Sequence, residues 1–393
     1  MHSRDKSPRV PVWRLLALAA LVALPIGLAT QAPEAHQAIT SPYTYNEHVF
    51  PILRDRCGRC HFDSGPTMMS LLTYNDAIPW AESIREQLVG ERMPPWYVDP
   101  SGPSIRGGHT ISSRELDVLV TWATGGVPQG DLSRKPAPVA APAQWRSPLG
   151  NKPDLVVTMD QEFALPANTM EDHHEFILPT GLTETKWVKA VDLAPGTPSM
   201  VREALILVDN GPVLAAWVPG YEALEPPSGT AFKLPAGAKL RLQMHYRKHY
   251  LDEQNVVKDR SSIGLYFTDE PNSGREVQSF DIAGTVSGES IDPQTFSKTL
   301  TTAARVVAFR PQLDQAYSSV DVHAILPNAR QVSLLRLHAA RPEWPRRYWL
   351  SDPIELPQGT KIEVKTTPMP SNADDIPSQK RDKLQIALEY IAQ

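Results

Sequence analysis

The chain has 393 residues and a formal net charge of −5, and 41% of its residues are hydrophobic while 21% are charged. This length is too great for one hydrophobic core, so we expect about two to four folded domains. The small negative charge, with no basic run beyond the first residues, excludes nucleic acid as an expected partner. Two cysteines in the whole chain exclude a fold that disulfides hold together.

The amino-terminal segment, residues 1–32, has the pattern of an export signal. Basic residues from Arg4 onward precede an apolar run, Leu15 to Ala29, which Pro25 interrupts. The run is short for a membrane span, but no clear cleavage site follows it, so a cleaved signal peptide and a retained anchor both fit. In either case we expect a periplasmic or other extracytoplasmic location, with membrane contact through this segment only.

Residues 40–132 have the pattern of short helices around a compact core. Three residue pairs have the spacing of capping boxes: Thr44 with Glu47, Thr73 with Asp76, and Ser112 with Glu115. After the third pair, an apolar stripe at helical spacing runs from Leu116 to Ala123. The pattern predicts an all-α domain.

Residues 133–152 predict a linker, because they are rich in proline and have no convincing periodicity. Beyond the linker the chain has strand patterns such as REALILVD, KLRLQMHY and SVDVHAIL, separated by proline and glycine turns. Such a series is typical of antiparallel sandwiches. The stretch LPAGAKLRLQ at 234–243 recurs as LPQGTKIEVK at 356–365, which favours two related β-domains, at 153–275 and 276–393.

Both cysteines lie in the stretch CGRCH, residues 57–61. A redox dithiol would follow a strand in a βαβ unit, whereas the pattern before this motif is helical. A structural zinc site needs two more ligands at ordered spacing, and no further cysteine supplies them. Two thiols one helical turn apart with an adjoining histidine are the attachment pattern of a c-type haem. We therefore predict one covalent haem c on Cys57 and Cys60, with His61 as an iron ligand.

The second iron ligand has four candidates: Met68, Met69, Met93 and His109. The first two are too close to the attachment site to reach the opposite haem face easily. His109 could reach the iron, but an exposed loop histidine is the commoner outcome. Met93 lies in RMPPW, where the two prolines hold the loop extended, and we predict it as the ligand. A His–Met pair leaves no open position on the iron, which favours electron transfer over oxygen chemistry.

The helical region resembles a known family in four motifs within residues 45–131: YNEHVFPILRDRCGRCH, LLTYNDAIPWAESIREQL, RMPPW and LDVLVTWATGGVPQGD. They are similar to the cytochrome c domain that is fused to bacterial copper type II, ascorbate-dependent monooxygenase domains. Residues 153–393 are similar in order and spacing to the two domains of the peptidylglycine hydroxylase type. The resemblance implies a multidomain fold class: a small all-α cytochrome c-like domain followed by two all-β antiparallel, jelly-roll-like sandwich domains. It also implies haem on Cys57 and Cys60, with His61 as the proximal ligand and Met93 as the distal one.

The copper ligands of that family are mostly missing. The family holds one copper by a His-His pair and a histidine before tyrosine, and the other by His-x-His and a methionine. The corresponding positions hold Arg202 and Glu203, then Gln312-Leu313-Asp314, and no methionine follows Met369. His245, in LQMHY, is the one residual copper-ligand position. Because copper(II) prefers imidazole-rich sites, we expect no bound copper.

His173 and His174, in EDHHEF, are the obvious substitutes for the missing pair. They lie on a different strand from the expected pair, and neighbouring side chains on a strand face opposite sides of the sheet. We therefore interpret both as exposed and solvated.

Two main functions remain open. The first is an exported monohaem c-type cytochrome that performs one-electron transfer and uses its degenerate copper-monooxygenase-like β region as a docking or assembly module of a redox complex. Its partners would be redox proteins, for example a membrane-bound respiratory or photosynthetic electron-transfer complex. The second is an active copper-dependent monooxygenase that receives electrons from its own haem domain. An intact haem motif beside a dismantled copper site favours the first, and a structural protein with an incidental haem is a third, blander alternative.

Overall fold

The computed structural model of the chain describes residues 40–108, 110–140, 143–145, 152–271, 276–284, 292–370 and 383–393. The predicted export segment, residues 1–32, and the candidate ligand His109 lie outside these ranges. Within the described ranges, no helix has the length and apolar character needed to cross a membrane.

Short helices occupy parts of residues 45–134. The first helical segment is continuous and consists of a π-type turn at Tyr45–Val49, helix α1 (Phe50–Ile52) and a second π-type turn at Leu53–Cys57. Helix α2 (Tyr74–Ala77) continues through a 3₁₀ turn at Ile78–Trp80 into helix α3 (Ala81–Val89). Helix α4 spans Ser113–Thr124, and isolated 3₁₀ turns lie at Leu132–Arg134 and Tyr250–Asp252.

The predicted helix starts have different outcomes. The Thr73 side chain accepts a hydrogen bond from the Asp76 backbone N–H at the start of α2. Ser112 and Glu115 form a complete capping box at the start of α4. Thr44 precedes the first helical segment but makes no side-chain cap. The capping signals at Thr73 and Ser112 are therefore confirmed, whereas the one at Thr44 is wrong in its hydrogen bonding.

The predicted fold class, with a small all-α cytochrome c-like domain ahead of two all-β antiparallel sandwich domains, is wrong. The described chain is mostly β, with 40% strand and 15% helix, and its helices are few and short. The loop after α3 joins the sheets, because Val98 forms a β-bridge with Leu337 and Ile105 forms one with Leu350. The Tyr97 side chain is buried in a β core. Capping signals report only local backbone bonding, so they did not reveal that this loop packs on strands.

The first part of the β region contains ten strands, which we call β1 to β10: Leu155–Thr158, Phe163–Leu165, Glu171–Pro179, Lys186–Ala194, Val201–Val208, Val213–Trp217, Phe232–Leu234, Lys239–Arg247, Val257–Asp259 and Ser262–Thr268. They form two four-stranded sheets, in the orders β1-β10-β4-β7 and β3-β8-β5-β6, and a two-stranded ribbon of β2 and β9. All these strand pairs are antiparallel. We call the two four-stranded sheets the first sheet pair.

The described residues of the second part form eight strands, β11 to β18: Gln278–Ala283, Gln294–Thr299, Ala304–Gln312, Tyr317–Ile325, Gln331–Ala340, Tyr348–Leu356, Lys361–Pro368 and Gln385–Ala392. They form two further four-stranded antiparallel sheets, in the orders β11-β18-β13-β16 and β12-β17-β14-β15. We call these sheets the second sheet pair. Side chains from both sheets of each pair meet in a hydrophobic core.

Strand β8 illustrates how alternation positions the functional side chains. Leu240, Leu242, Met244 and Tyr246 are buried in the first core. Because successive side chains point to opposite faces of a sheet, His245 lies on the face away from that core. The sequence pattern of β8 therefore both builds the core and presents a histidine outside it.

The two sheet pairs are joined by apolar contacts and by hydrogen bonds from Arg347, which also forms a buried ion pair within the second sheet pair. The first core includes four side chains from the second sheet pair: Val307, Ala308, Trp349 and Ile391. Arg347 donates hydrogen bonds across the boundary to the backbone oxygens of Leu214, at 2.6 Å, and Val213, at 2.7 Å. Its Nε atom lies 2.6 Å from Oε2 of Glu389, and both side chains are 3% exposed. These contacts attach β6 to β16 and β18.

Candidate functional site

The predicted haem-attachment residues form a tight turn at the end of the first helical segment. The backbone N–H groups of Cys60 and His61 both donate to the Cys57 carbonyl, at 3.1 and 3.0 Å. No disulfide links the two cysteines. Cys57 packs against the core between the helices, and burial raises the pKa of its thiol to about 12. A redox dithiol needs a lowered thiol pKa, so this environment disfavours that alternative.

His61 is half-buried. Burial lowers the pKa of its imidazole, and the nearby Met69 backbone acts in the opposite direction. The Nδ1 atom is buried and has no hydrogen bond of normal geometry within the described part of the chain. The backbone oxygen of His61 accepts from Leu71, whose own carbonyl accepts from the Tyr45 hydroxyl at 2.9 Å. A neutral, fixed imidazole of this kind is suited to ligating a metal.

Met93 lies in the loop after α3, and its peptide bond to Pro94 is cis. It lines a cavity of about 590 Å³ together with apolar side chains that include Leu88, Trp96, Ile111 and Leu116. Leu88 and Ile111 also belong to the helical core against which Cys57 packs. Met93 and Cys57 therefore each lie beside side chains of this core, while none of the CGRCH residues lines the cavity.

The other sulfur candidates have different surroundings. Met68 is 45% exposed, which leaves its thioether in solvent. Met69 packs against the helical core. Among the described methionines of this region, Met93 is the one that lines the cavity.

The donor set fits a c-type haem. Two thiols, a half-buried imidazole and a thioether beside a largely apolar cavity are the kinds of group that such a haem requires. The fit rests on donor chemistry and burial, and it identifies Cys57, Cys60, His61 and Met93 as the residues that would hold the haem.

The CGRCH turn also contacts the first sheet pair. Gly220, which follows β6, has φ of +79°, and a Cβ atom at this position would lie 2.9 Å from Sγ of Cys60. Arg59 forms an ion pair with Glu222. Arg202 of β5 donates from Nη1 to the Pro66 carbonyl at 2.6 Å. The attachment motif is therefore held between the helical core and the sheets.

A second group of functional side chains lies on the outer face of β3 and β8. The antiparallel register places His173 directly opposite His245. Their rings stack, with centroids 4.2 Å apart and an interplanar angle of 20°. Oε1 of Glu171 lies 2.6 Å from Nε2 of His245 and 3.9 Å from Nε2 of His173. We call these three residues the His-Glu cluster.

The environment of His245 keeps its imidazole neutral. Burial, followed by the charge of His173, lowers the pKa of His245 to about 4, against the raising influence of Glu171. At neutral pH the ring is therefore uncharged, and one of its nitrogens carries a lone pair that can accept a proton or bind a metal ion.

His173 and His245 of the His-Glu cluster line a cavity of about 530 Å³ between the two sheet pairs. The opposite wall comes from the second sheet pair and includes Arg310, Gln312, Lys383 and Gln385. Glu203, which pairs with His245 from β5, also lines the cavity. Two positions that the resemblance assigns to copper ligands, 203 and 312, thus face the same space with a carboxylate and an amide.

Arg202, the other replaced position of the His-His pair, has a different partner. Its guanidinium bonds to the Pro66 carbonyl. Burial, with a contribution from Arg247, lowers the pKa of Arg202 to about 10, so it remains charged at neutral pH. The Arg202 side chain therefore provides no metal ligand, and it instead bonds the amino-terminal region to strand β5.

The interpretation of His173 and His174 as a solvated pair missed part of their environment. Both residues are exposed, and they do diverge. The His174 ring packs between Phe163 and Phe176, with centroid distances of 4.8 and 4.7 Å, while His173 stacks on His245. The register between β3 and β8 could not be predicted from the sequence. The presence of histidines on two strands was the one sequence signal that they could lie close together.

Comparisons with known proteins give no family. No family model and no curated protein matches the sequence. Among solved structures, the chain is similar to the major capsid protein P2 from Bacteriophage PM2, with 10% identity and a TM-score of 0.29, over 59% of this chain and 97% of that one. It is also similar to the STIV MCP, with 9% identity and a TM-score of 0.26, over 61% and 96% of the two chains. Scores this low carry no conclusion about function.

Proposed function

We propose that this protein is an exported monohaem c-type cytochrome that transfers single electrons. The observation that carries the proposal is the environment of CGRCH. The half-buried His61 imidazole lies directly beside two thiols, one of which burial keeps protonated. A zinc thiolate site or a redox dithiol would need easily ionised cysteines, whereas haem attachment needs thiols and a neutral imidazole at this spacing.

The chain would contribute ligands, shielding and rigidity. A bound haem c supplies a one-electron Fe(III)/Fe(II) couple. Cys57 and Cys60 would hold it covalently, and His61 and Met93 would be its iron ligands. The apolar side chains beside Met93 would limit access of water, and together with thioether ligation they would raise the reduction potential. Ligation of the iron by two protein side chains would favour electron transfer over oxygen chemistry.

The β region would serve as a docking or assembly module for redox partner proteins, for example a membrane-bound respiratory or photosynthetic electron-transfer complex outside the cytoplasm. Three large apolar side chains in one segment between β8 and β9, Tyr250, Leu251 and Val256, are each more than half exposed. An exposed apolar group of this kind supports a contact surface.

A copper-dependent monooxygenase fed by its own haem ranks second. Arg202 bonds to the Pro66 carbonyl, and Gln312 offers an amide where the family has imidazole. Copper(II) bound through such ligands would be weak. We therefore expect neither tightly held copper at the family's positions nor ascorbate-dependent oxygen consumption.

The test is to produce the full chain with a cytochrome c maturation system and to ask whether haem stays attached under denaturing conditions. We expect one covalent haem per chain, lost in a Cys57→Ala/Cys60→Ala variant. Met93→His should lower the reduction potential, because bis-histidine ligation favours the oxidised iron more than a His–Met pair does. The matched control is Met68→His at the exposed methionine, which should leave the potential unchanged. Absence of covalent haem would refute the proposal, and an unchanged potential in Met93→His would refute the ligand assignment.

A further inference from the structure

The His-Glu cluster combines features that the haem does not use. It is built on β3 and β8, in the first sheet pair, whereas the haem ligands are in the helical region. Its three ligand atoms all lie within 4.8 Å of one another. Two imidazoles and a carboxylate are thus brought together by strands whose register fixes their backbone positions.

We propose that Glu171, His173 and His245 bind a divalent transition-metal ion. Two imidazole nitrogens and one carboxylate oxygen form a donor set that proteins use for zinc and other first-row divalent metals. This set differs from the ligands implied by the family resemblance, since only His245 is shared. The inference does not rest on the haem.

The spacing of the donor atoms supports the proposal. Ligand atoms about 2.0–2.1 Å from a tetrahedral zinc ion are about 3.3 Å from one another. Oε1 of Glu171 is 2.6 Å from one imidazole nitrogen and 3.9 Å from the other, so the values lie on either side of that separation. Binding would move the Glu171 oxygen away from His245 and toward His173, and it would turn the two stacked rings so that their nitrogens converge on the ion.

The cavity beside the cluster bears on whether the proposed metal site has an open coordination position. Three protein ligands leave a coordination position, and catalytic zinc sites keep such a position open, whereas structural sites close it. The open side here faces the cavity of about 530 Å³ between the sheet pairs. If the cluster only stabilised the pairing of β3 with β8, the hydrogen bond between His245 and Glu171 would be sufficient. The second imidazole, stacked on the first, is explained better by a metal site.

The experiment measures zinc binding to the full haem-containing chain by equilibrium dialysis and elemental analysis. We expect one saturable zinc ion per chain. His173→Gln and Glu171→Gln should each weaken the affinity more than tenfold. The matched control is His174→Gln, which removes the adjacent histidine on the opposite face of the same strand and should leave the affinity unchanged. His173 and Glu171 are exposed, so these variants should fold.

A second measurement reports the ligands directly. With copper(II) as the probe, electron paramagnetic resonance should show coupling to two imidazole nitrogens in the natural chain and to one in His173→Gln. The proposal is overturned if no saturable ion binds, or if His174→Gln loses as much affinity as His173→Gln. Haem content, measured on the same samples, separates failure of this proposal from failure of the proposed electron-transfer function.

Discussion

Replacing Arg347 with methionine tests whether its buried guanidinium, which also pairs with Glu389, holds the two sheet pairs together. The guanidinium bonds to the backbone oxygens of Val213 and Leu214 and pairs with Glu389. Methionine keeps much of the volume but leaves a buried carboxylate and two carbonyls without their donor. Glu389 retains Arg310, at 3.5 Å, as a weaker partner. Removing one member of a buried pair costs about 3–5 kcal/mol, and we expect a loss of this size in the free energy of unfolding.

The assay is urea unfolding followed by tryptophan fluorescence, which includes Trp349 beneath the guanidinium at 5.2 Å. The control is Arg305→Met, which removes an ion pair with Glu355 on the same sheet. That pair has side chains 40% and 55% exposed, so its loss should cost about 0–1 kcal/mol. If Arg347→Met destabilises the protein no more than Arg305→Met does, Arg347 does not hold the sheet pairs together.

Two further predictions concern the amino-terminal region. Gly220→Ala and Gly181→Ala both add a Cβ at positive φ, but only at Gly220 does that atom meet Cys60. Gly220→Ala should therefore lower the free energy of unfolding by about 1–3 kcal/mol more than Gly181→Ala does, measured by thermal unfolding, and it should reduce haem attachment. Equal effects of the two substitutions would contradict the contact. Burial raises the pKa of Glu115, but hydrogen bonds with Ser112 lower it overall. The ionised Glu115 carboxylate therefore contributes to stability above the ordinary pKa of 4.5, and this contribution is lost as the pH falls through the lower pKa of the folded state. Ser112→Ala should cost about 0.5–2 kcal/mol at neutral pH but keeps the backbone N–H that donates to the Glu115 carboxylate, whereas Glu115→Gln should flatten this acid dependence, which urea titrations across the range would measure.

Strands and helix caps were predictable where the signal is local. The stretches REALILVD and KLRLQMHY correspond to β5 and β8, because alternation of apolar residues reports one buried face of a strand. Ser112 and Glu115 form their capping box within a single turn. The loop from Met93 to Arg106 was not predictable, because its hydrogen bonds go to strands more than two hundred residues away.

The same distinction separates the two candidate sites. The attachment motif is readable because its three donors lie within five consecutive residues, Cys57 to His61. The His-Glu cluster depends on the pairing of β3 with β8, and a shift of one residue would put His174 opposite His245 and remove the cluster. Register between strands distant in sequence depends on packing of the whole sheet, so the partnership of His173 and His245 could be seen only in the fold.

Strand β6 connects the features on which both proposals depend. Arg347 bonds to the first residues of β6, Val213 and Leu214. Ala216 of β6 lines the cavity beside the His-Glu cluster. Gly220, just after the end of the strand, lies against Cys60. A strand that is paired along its length cannot shift at one end without breaking ladder bonds. If Arg347→Met lowers stability but leaves zinc affinity and haem attachment intact, then the register of β3 with β8 and the helical core position the two sites separately. If all three properties fall together, β6 is the element that positions both sites.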